Sequence, residues 1–490
     1  MAACGHSVRV KVLYQKITFD MFTKDHKKVK IVATIGPASD SPEMLLKLAE
    51  RGVNVFRLNL SHKNREEMLA NIATIRAVEK KLGWPLTIMG DLGGPKIRTG
   101  SFDKEYNLET GHKLEIVSDQ VTGNDEKFSL NFPSIIDSLE PGAEVYLNDG
   151  IPKLEVVKKT KAGVIVKVVV PGLVKSRMGF MAQGLALEKF ELTAKDKHDI
   201  KVMVEGGADA LAVSFVQTAK DVEAVKKLLP KTGPRPMLIA KIETLAGVAN
   251  AEEILHMADG LMVARGDLGY AVPMAEVPHI QKKLINIALR HAKPVITATQ
   301  MLESMTFSHL PTRAEVTDVA NAILDGTDAV MLSGETARGK YPLEVVSTMA
   351  KIIKRAESDV AMREFQEEDQ ISDAISASTV KIADQVGARL IIVFTHSGPT
   401  ARRIARHRHS QPIIALSPDQ QTVHRLNFSG GVMPMLVKKV MSFDEFVVEA
   451  RKVALNNPLL KLKKGEPFVV SAGVPFGQTG TTNMVLIERA

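Results

Sequence analysis

The sequence predicts an α/β protein with a central parallel (β/α)8 barrel, an inserted small β-barrel lid domain and a C-terminal doubly wound α/β domain. Three observations predict this architecture. Short apolar segments alternate with helix-like stretches, one long β-rich stretch interrupts the alternation, and the alternation restarts after about Glu357. The predicted parts are an N-terminal arm at 1–27, the barrel at 28–100 and 188–356, the lid at 101–187 and the C-terminal domain at 357–490.

Eight strand-like apolar segments predict the barrel. Apart from one long gap, successive segments start about 23–35 residues apart, the length of a βα unit, and eight such units close a parallel barrel. The segments are Val29–Thr34, Val53–Leu58, Leu86–Met89, Ala210–Phe215, Met237–Ala240, Gly260–Val263, Pro294–Ala298 and Ala329–Leu332. Helix-like stretches follow several of them, at Ser41–Glu50, Arg65–Lys81, Ala219–Leu229 and Val277–Arg290.

The gap between the third and fourth segments holds the predicted lid. It contains β-rich runs at Lys113–Val117, Glu144–Leu147, Lys153–Lys158 and Val164–Val170. The tripeptide 161–163, Lys-Ala-Gly, predicts a hairpin between the last two runs. An insertion after a barrel strand emerges on the face where barrel enzymes carry their active sites, so it can act as a lid.

The C-terminal part repeats the alternation of strand and helix. A helix-like stretch at Ile371–Val386 precedes the strand Leu390–Phe394. Further strands are predicted at Pro412–Leu416, Gly431–Leu436 and Phe468–Ser471. This order favours a separate doubly wound domain.

Composition narrows the class of protein. With 45% hydrophobic and 24% charged residues, the chain has the make-up of a globular protein, and its longest apolar runs are too short to cross a bilayer. Cys4 is the only cysteine, and no secretory signal is seen, so we expect a reducing, cytoplasmic location. The net charge of +8 suits anionic substrates. The basic run at 402–408 lacks interleaved aromatics, which favours a solvated helix face or a subunit contact over nucleic-acid binding.

Charged residues at the ends of two neighbouring strands predict a metal site. Glu243 and Asp267 follow the fifth and sixth strand-like segments, and adjacent parallel strands would let them share a hard ion such as Mg²⁺. Lys241 beside them can neutralise charge on a reacting phosphoryl group. The alternatives are two solvated carboxylates and a buried salt bridge of Lys241.

Other strand ends supply groups that bind anions. Arg57 and Arg98 are suited to phosphate, the alternative being surface ion pairs. Gly266 and Asp267 lie in a Gly-Asp-Leu-Gly run that would open a short helix and bind a carboxylate, or would form a simple tight turn. Thr299 also ends a strand, but alone it has the character of an ordinary strand threonine.

The C-terminal domain carries a predicted phosphate site. The loop 397–400, Ser-Gly-Pro-Thr, lies between a strand and a helix, and the run 477–482 could close over it. We therefore expect a phosphorylated effector to bind here, although the hydroxyl groups could equally be helix caps. The candidate residues are Thr395, Ser397, Gly398, Thr400, Thr481 and Thr482.

Several motifs, in order along the chain, resemble those of the pyruvate kinase family. They are Lys28–Ser39, Phe56–His62, Gly94–Gly100, Ile239–Glu243, Ala264–Gly269, Thr297–Met305, Pro311–Glu315 and Val330–Thr336. The resemblance extends from about residue 28 to the C-terminus. It implies a catalytic barrel with a lid, a C-terminal regulatory domain, a homotetramer, and phosphoryl transfer between phosphoenolpyruvate and ADP to give pyruvate and ATP.

The resemblance also implies roles for individual residues. Glu243 and Asp267 would hold Mg²⁺ or Mn²⁺, and Lys241 would stabilise the transferring phosphoryl group and the enolate oxygen. Arg57 and Arg98 would bind phosphoryl oxygens. The substrate carboxylate would be held by Gly266, Asp267 and Thr299, with Ser214 also at the substrate and Thr299 near the route of enolate protonation. The nucleotide would meet His62, Arg57 and Asn59, and a monovalent cation would be held by Asn59, Ser61, Asp91 and the carbonyl of Leu92.

Three departures from the family pattern modify these expectations. Lys96 stands where potassium-dependent members have Glu, which predicts that its ammonium replaces K⁺. Lys63 replaces a usual Gly beside the nucleotide, and the run 176–184 differs at the return to the barrel. Two rival functions remain open: a metal-dependent carbon–carbon lyase of the pyruvate-enolate type, and an RNA- or protein-binding scaffold.

Overall fold

A computed structural model of the chain describes residues 27–148, 150–185, 190–365, 371–439, 442–456, 462–475 and 482–490, except for the side chain of His62. The predicted arm at 1–27 therefore falls outside this part apart from Lys27, and Thr481 falls outside it as well. Among the described residues, no helix is both long and apolar enough to cross a bilayer.

The strands and helices are numbered along the chain. The strands are β1 (Lys30–Ile35), β2 (Val53–Asn59), β3 (Thr87–Asp91), β4 (Tyr106–Leu108), β5 (Lys113–Val117), β6 (Lys127–Ser129), β7 (Glu144–Leu147), β8 (Lys153–Lys159), β9 (Gly163–Val170), β10 (Gly172–Val174), β11 (Phe180–Ala182), β12 (Ala210–Val213), β13 (Met237–Ile242), β14 (Gly260–Ala264), β15 (Val295–Ala298), β16 (Ala329–Leu332), β17 (Ile391–Phe394), β18 (Ile413–Ser417), β19 (Val432–Leu436), β20 (Pro467–Gly473) and β21 (Thr482–Arg489). The α-helices are α1 (Pro42–Glu50), α2 (Arg65–Leu82), α3 (Ala194–Glu205), α4 (Ala219–Lys226), α5 (Leu245–Ala249), α6 (Ala251–Met257), α7 (Arg265–Ala271), α8 (Val277–Arg290), α9 (Arg313–Leu324), α10 (Gly334–Ala337), α11 (Pro342–Glu357), α12 (Ile371–Gln385), α13 (Pro399–Ala405), α14 (Gln420–Leu426) and α15 (Phe443–Asn456).

Local capping signals fix several helix starts. Ser41 caps α1 by accepting a hydrogen bond from the backbone N–H of Met44, and a proline occupies the first turn. Asn64 and Glu67 form a capping box at the start of α2, which ends at Gly83 in the left-handed conformation. These signals account for helices beginning within a residue or so of the positions that the sequence predicts.

The predicted parallel barrel is confirmed. Strands β1, β2, β3 and β12 to β16 close into one ring, with β1 pairing in parallel with both β2 and β16. Alternate residues of each strand face opposite sides: Ile31 packs with the outer helices, whereas Val32 lies in an inner cluster with Met262 and Ile296. Phe428 of the C-terminal domain is fully buried and belongs to that inner cluster.

The insert between β3 and β12 is β-rich, as predicted. Its strands form a six-stranded sheet in the order β11-β7-β8-β9-β5-β6 and a separate pair, β10-β4. The predicted hairpin joins β8 and β9, which run antiparallel. The insert therefore consists of an open six-stranded sheet and a two-stranded sheet. It has an apolar core of its own.

The C-terminal domain has a five-stranded sheet in the order β19-β18-β17-β20-β21, parallel except for β21. Adjacent residues of β17 enter different cores: Ile392 packs with Phe446 of α15, whereas Val393 packs with Ile404 of α13. Helices therefore cover both faces of the sheet, which confirms the doubly wound prediction.

Part of the basic run at 402–408 joins this domain to the barrel. Arg406 donates to the carbonyl of Arg290 at 2.8 Å and ion-pairs with Asp373 at 3.2 Å. Arg408 ion-pairs with Asp328 at 3.0 Å. Because these guanidinium groups are buried between domains, the prediction of a solvated helix face is wrong for them.

Candidate active site

The carboxyl ends of the barrel strands open into a cavity of about 410 Å³ between the barrel and the lid. The lid contributes Asn148, Gly179, Phe180 and Met181 to its wall. The predicted site residues that line it are Arg57, Asn59, Ser61, Asp91, Leu92, Lys96, Arg98, Ser214, Lys241, Glu243 and Asp267. Strand ends far apart in the sequence therefore meet in one place, as the barrel predicts.

Four charged side chains that line this cavity are linked by successive ion pairs. Nε of Arg57 lies 2.6 Å from Oδ2 of Asp91, and Nζ of Lys241 lies 3.2 Å from Oδ1 of the same carboxylate. The ammonium of Lys241 also lies 2.9 Å from Oε1 of Glu243. The hydroxyl of Ser214 accepts from Lys241 at 2.7 Å and donates to the carbonyl of Leu92 at 2.8 Å.

The network sets the protonation states of its members. Burial alone would lower the pKa of Lys241, but Asp91, Glu243 and Asp267 outweigh it, so the pKa is raised and the lysine stays charged. Burial would raise the pKa of Asp91, yet Lys241 and Arg57 bring it below its ordinary value. Two cations thus share one ionised carboxylate.

Glu243 behaves differently from Asp91. Its burial, opposed by Lys241 and reinforced by the charge of Asp267, raises the pKa of this carboxyl to about 7. One oxygen accepts from the backbone N–H of Phe215 at 2.7 Å. The other is buried without an aligned hydrogen bond, and its close contact is the ion pair with Lys241.

These features fit a divalent cation. The under-coordinated oxygen of Glu243 and the half-buried carboxylate of Asp267 share one cavity, and hard oxygen donors are what Mg²⁺ prefers. Among the described residues, no group of three or more Asp, Glu, His or Cys side chains is arranged to hold a metal. An ion here would therefore need substrate or water oxygens to complete its shell, which is typical of magnesium sites that act on phosphates.

Thr299 is held in an unusual backbone conformation beside the first turn of α7. Thr299 and Gln300 have φ angles of 69° and 52°, in the left-handed region that non-glycine residues rarely adopt. Arg265 donates to the carbonyl oxygens of both, at 2.7 Å and 3.3 Å. The Thr299 hydroxyl accepts from the backbone N–H of Gly266 at 2.7 Å, so these two predicted residues are in direct contact.

The residues predicted to hold a monovalent cation all line the cavity. Asn59 caps the turn that follows β2 by accepting from the N–H of Ser61 at 3.2 Å. The side chain of Lys96 is exposed at the cavity margin, and burial of part of it, followed by the charges of Arg98 and Lys241, lowers its pKa. The carboxylates of Asp267 and Asp91 oppose this effect.

Arg98 connects the cavity to the lid. Its guanidinium donates to the carbonyl of Arg177 at 2.8 Å, and its backbone pairs with Gly179. It therefore does not form the surface ion pair that was the alternative reading of the sequence, and no ion pair to it is found among the described residues.

The C-terminal loop is only partly described. Gly398 donates its N–H to the hydroxyl of Thr395 at 3.0 Å, and the hydroxyl groups of Thr400 and Thr482 lie 2.5 Å apart. Ser397 is exposed. Residues 476–481, which include Thr481 and most of the predicted closing loop, lie outside the described residues.

Sequence reasoning missed two residues at the site and gave no role to a third. Phe215, which holds Glu243, and Asn148, which brings the lid to the cavity, were missed. Arg265 was noted at the end of its strand, but its contact with the Thr299 turn was not predicted. The positive φ of 49° at Asn148 is typical of asparagine in turns, and its position after β7 was the only available signal. The contact of Phe215 with Glu243 is made by a backbone N–H, which side-chain patterns do not reveal.

The fold and the cavity define a β/α-barrel enzyme with an inserted lid and a cationic site for anionic substrates. Two family models match the chain: the pyruvate kinase barrel domain over residues 26–346 and the pyruvate kinase alpha/beta domain over residues 373–488. The chain belongs to the pyruvate kinase family.

Curated relatives agree with the family models. The chain is 40% identical to a pyruvate kinase of Methylorubrum extorquens over 471 residues, covering 95% of this chain and 98% of the relative. It is 43% identical to a pyruvate kinase of Geobacillus stearothermophilus over 472 residues, covering 94% of this chain and 80% of the relative. A pyruvate kinase of Thermotoga maritima is 39% identical over 466 residues, covering 94% of this chain and 99% of the relative.

Proposed function

We propose that the protein transfers the phosphoryl group of phosphoenolpyruvate to ADP, giving pyruvate and ATP. The observation that carries the proposal is the charge network of Arg57, Asp91, Lys241 and Glu243, which shares one cavity with Asp267. Two anionic substrates repel each other, so positive charge already in place lowers the cost of bringing them together. Membership of the pyruvate kinase family supports the same reaction.

Glu243 and Asp267 would hold the divalent cation, Mg²⁺ or Mn²⁺. Members of this family generally use Mg²⁺ and K⁺. When bound, the divalent cation neutralises negative charge on the phosphoryl oxygens. The buried, under-coordinated oxygen of Glu243 supports this assignment.

The remaining groups would bind substrate and move its proton. Lys241 stabilises charge on the transferring phosphoryl group and then on the enolate oxygen, while Arg57 and Arg98 bind phosphoryl oxygens. The N–H groups at Gly266 and Asp267, with Thr299, receive the substrate carboxylate, and Thr299 lies on the route by which the enolate is protonated. In this role the substrate would take the N–H of Gly266 that the threonine hydroxyl now occupies.

Ser214 and three further residues would position Lys241 and bind the nucleotide. Ser214 positions the ammonium of Lys241, to which it is hydrogen-bonded. His62, Arg57 and Asn59 would contact the nucleotide.

A coupled assay of ATP formation tests the reaction. We expect ATP to appear only with phosphoenolpyruvate, ADP and Mg²⁺, and to stop with EDTA. Lys241→Met should reduce kcat by about 100- to 1,000-fold. Its circular dichroism spectrum should match that of the wild type, which would show that the fold is preserved. Turnover that needs no nucleotide would favour the carbon–carbon lyase instead, and full function of Lys241→Met would favour a binding scaffold.

Lys96 would replace the monovalent cation. Its side chain lies at the cavity that also holds Asn59, Ser61, Asp91 and the carbonyl of Leu92, the predicted cation ligands. We expect turnover in sodium-free buffer to change less than about twofold on adding K⁺, whereas Lys96→Glu should become K⁺-activated because the fixed ammonium is lost. Strong K⁺ activation of the wild type would contradict the assignment.

The C-terminal loop with Thr395, Ser397, Gly398, Thr400, Thr481 and Thr482 would bind a phosphorylated effector. The hydrogen-bonded pair Thr400–Thr482 supports this by placing two hydroxyl groups from distant segments together. Titrating sugar phosphates and nucleotides at sub-saturating phosphoenolpyruvate should shift the half-saturation point in the wild type and not in Thr400→Glu. If no sugar phosphate or nucleotide shifts the half-saturation point, the proposed effector site is contradicted.

The assembly, location and domain limits are proposals as well. Phe307 and Leu310 are 71% and 75% exposed, and such apolar side chains support self-association as a homotetramer, which sedimentation velocity would measure. We propose a cytoplasmic enzyme that binds neither nucleic acid nor membrane. Limited proteolysis would check the limits of the barrel at 28–100 and 188–356, of the lid at 101–187 and of the regulatory domain at 357–490.

A further inference from the structure

Phe215 adopts a backbone conformation that needs an explanation. It follows Ser214 at the end of β12 and has a φ angle of 56°. An L-residue with a bulky side chain rarely occupies this region, and holding one there costs on the order of 1–3 kcal/mol, so the surroundings must enforce it.

One enforcing contact is on the barrel side. The N–H of Phe215 donates to Oε2 of Glu243 at 2.7 Å. Among the described residues this is the only backbone donor to that carboxylate, whose other oxygen meets Lys241. The backbone of Phe215 therefore fixes the orientation of Glu243.

The other enforcing contact is on the lid side. The ring of Phe215 is 7% exposed and belongs to the apolar core of the lid, in the same cluster as Ile97, Phe180 and Met181. The chain leaving the barrel for the lid passes close to the ring, since a Cβ added at Gly94 would lie 3.1 Å from Cδ2 of Phe215. A barrel residue thus has its side chain packed in the lid and its N–H bonded to a site carboxylate.

We infer that Phe215 is a positioning residue that couples the lid to Glu243. The ring moves with the lid core, the strained backbone transmits that movement, and the N–H then gains or loses its hold on the carboxylate. Proper packing of the lid consequently turns Glu243 toward the cavity, and loosening of the lid releases it. The inference rests on the proposed function, in which Glu243 and Asp267 hold the divalent cation.

The test is Mn²⁺ binding, measured by electron paramagnetic resonance on the full-length protein without substrate. Wild type and Glu243→Gln are compared first. If the wild type binds no Mn²⁺, or if Glu243→Gln binds it equally well, the proposed metal role fails and the inference fails with it. If Glu243→Gln weakens binding, the metal role stands and the effect of Phe215 can be judged separately.

Phe215→Ala and Phe128→Ala are then compared, because both remove a buried ring from the same lid core and Phe128 does not line the cavity. We expect Phe215→Ala to weaken Mn²⁺ binding by about 10-fold, the loss typical for a group that orients a metal ligand, and Phe128→Ala to change it by less than about twofold. Equal effects of the two variants would show general loosening of the lid and overturn the inference, as would unchanged binding in Phe215→Ala.

Linkage supplies a second readout. If lid and site are coupled, Mn²⁺ must also slow proteolytic cleavage of the lid, and this protection should persist in Phe128→Ala and vanish in Phe215→Ala. Should Phe215→Ala fail to fold, Phe215→Leu keeps most of the apolar volume and is expected to weaken binding by about threefold, a partial form of the same loss. Wild-type affinity and protection in Phe215→Leu would overturn the inference.

Discussion

His424 is expected to strengthen the contact between the C-terminal domain and the barrel at neutral pH and to lose this effect in alkali. Its Nδ1 lies 2.9 Å from Oδ1 of Asp209, and its Nε2 lies 2.5 Å from Oε1 of Glu79. Arg76 binds the same two carboxylates, and Gln420 contacts the ring from within α14. A charged imidazole therefore joins α14 to two carboxylates of the barrel.

The size of the effect follows from the shift in pKa. Burial alone would lower the pKa of His424, but hydrogen bonds and the charges of Asp209 and Glu79 raise it from 6.5 to about 9. Because one pKa unit corresponds to about 1.4 kcal/mol, the contact contributes about 3.5 kcal/mol. The lowered pKa of Asp209 arises in part from the same contact with His424, so its free energy is not counted a second time. Since the folded-state pKa is raised, the contribution is full below about pH 6.5 and is lost as the pH rises through about 9.

Urea unfolding of wild type and His424→Gln between pH 6 and pH 10 measures this contribution. We expect the free energy of unfolding to differ by about 3.5 kcal/mol at pH 6, and this difference should become small at pH 10. Burial also lowers the pKa of Lys27 to about 7 and that of Lys30 to about 8, but these lysines are common to both proteins and cancel in the difference. A difference that stays the same at both ends of the range would refute the reasoning.

Three further predictions concern the site. Because burial and the charge of Asp267 raise the pKa of Glu243 and a metal ligand must be deprotonated, Mn²⁺ affinity should be lower at pH 5.5 than at pH 8; equal affinity at the two pH values would contradict this. Asp91→Asn leaves two buried cations without their shared carboxylate and should destabilise the protein by about 3–5 kcal/mol in urea unfolding, whereas a loss under about 1 kcal/mol would mean that the cations are solvated. Gly94→Ala would place a Cβ 2.8 Å from that of Ser214 and should reduce kcat/KM by about 100-fold, while Gly111→Ala, which also has a positive φ but open space, should leave kcat/KM unchanged.

Much of the fold could be predicted because its signals are local. The helix at Val277–Arg290 was predicted with both ends correct, since its apolar residues recur on one face and a proline stands in its first turn. The strand predicted at Val29–Thr34 is shifted by one residue, because an almost wholly apolar run does not mark where pairing begins. The open pairing of the lid sheet depends on contacts between distant strands and could not be read from alternation alone.

The sequence predicts which residues line the cavity, but it does not predict which of them contact one another. Barrel topology was enough to bring Arg57, Lys241 and Glu243 together, because each lies at or near a strand end. The resemblance made Asp91 a cation ligand, whereas in the structure both of its oxygens face Arg57 and Lys241. That partner choice depends on side-chain reach across strands, which spacing along the chain does not specify.

The ring of Phe428 has a consequence for how the molecule can be divided. It lies in the inner cluster of the barrel although it belongs to the C-terminal domain, and nearby His424 contacts Thr87 at the start of β3, the end away from the lid. A protein cut after residue 356 would lose this buried ring, so we expect the barrel alone to be less stable than the full chain. Exchanging C-terminal domains between relatives would require an apolar side chain that fills the same space.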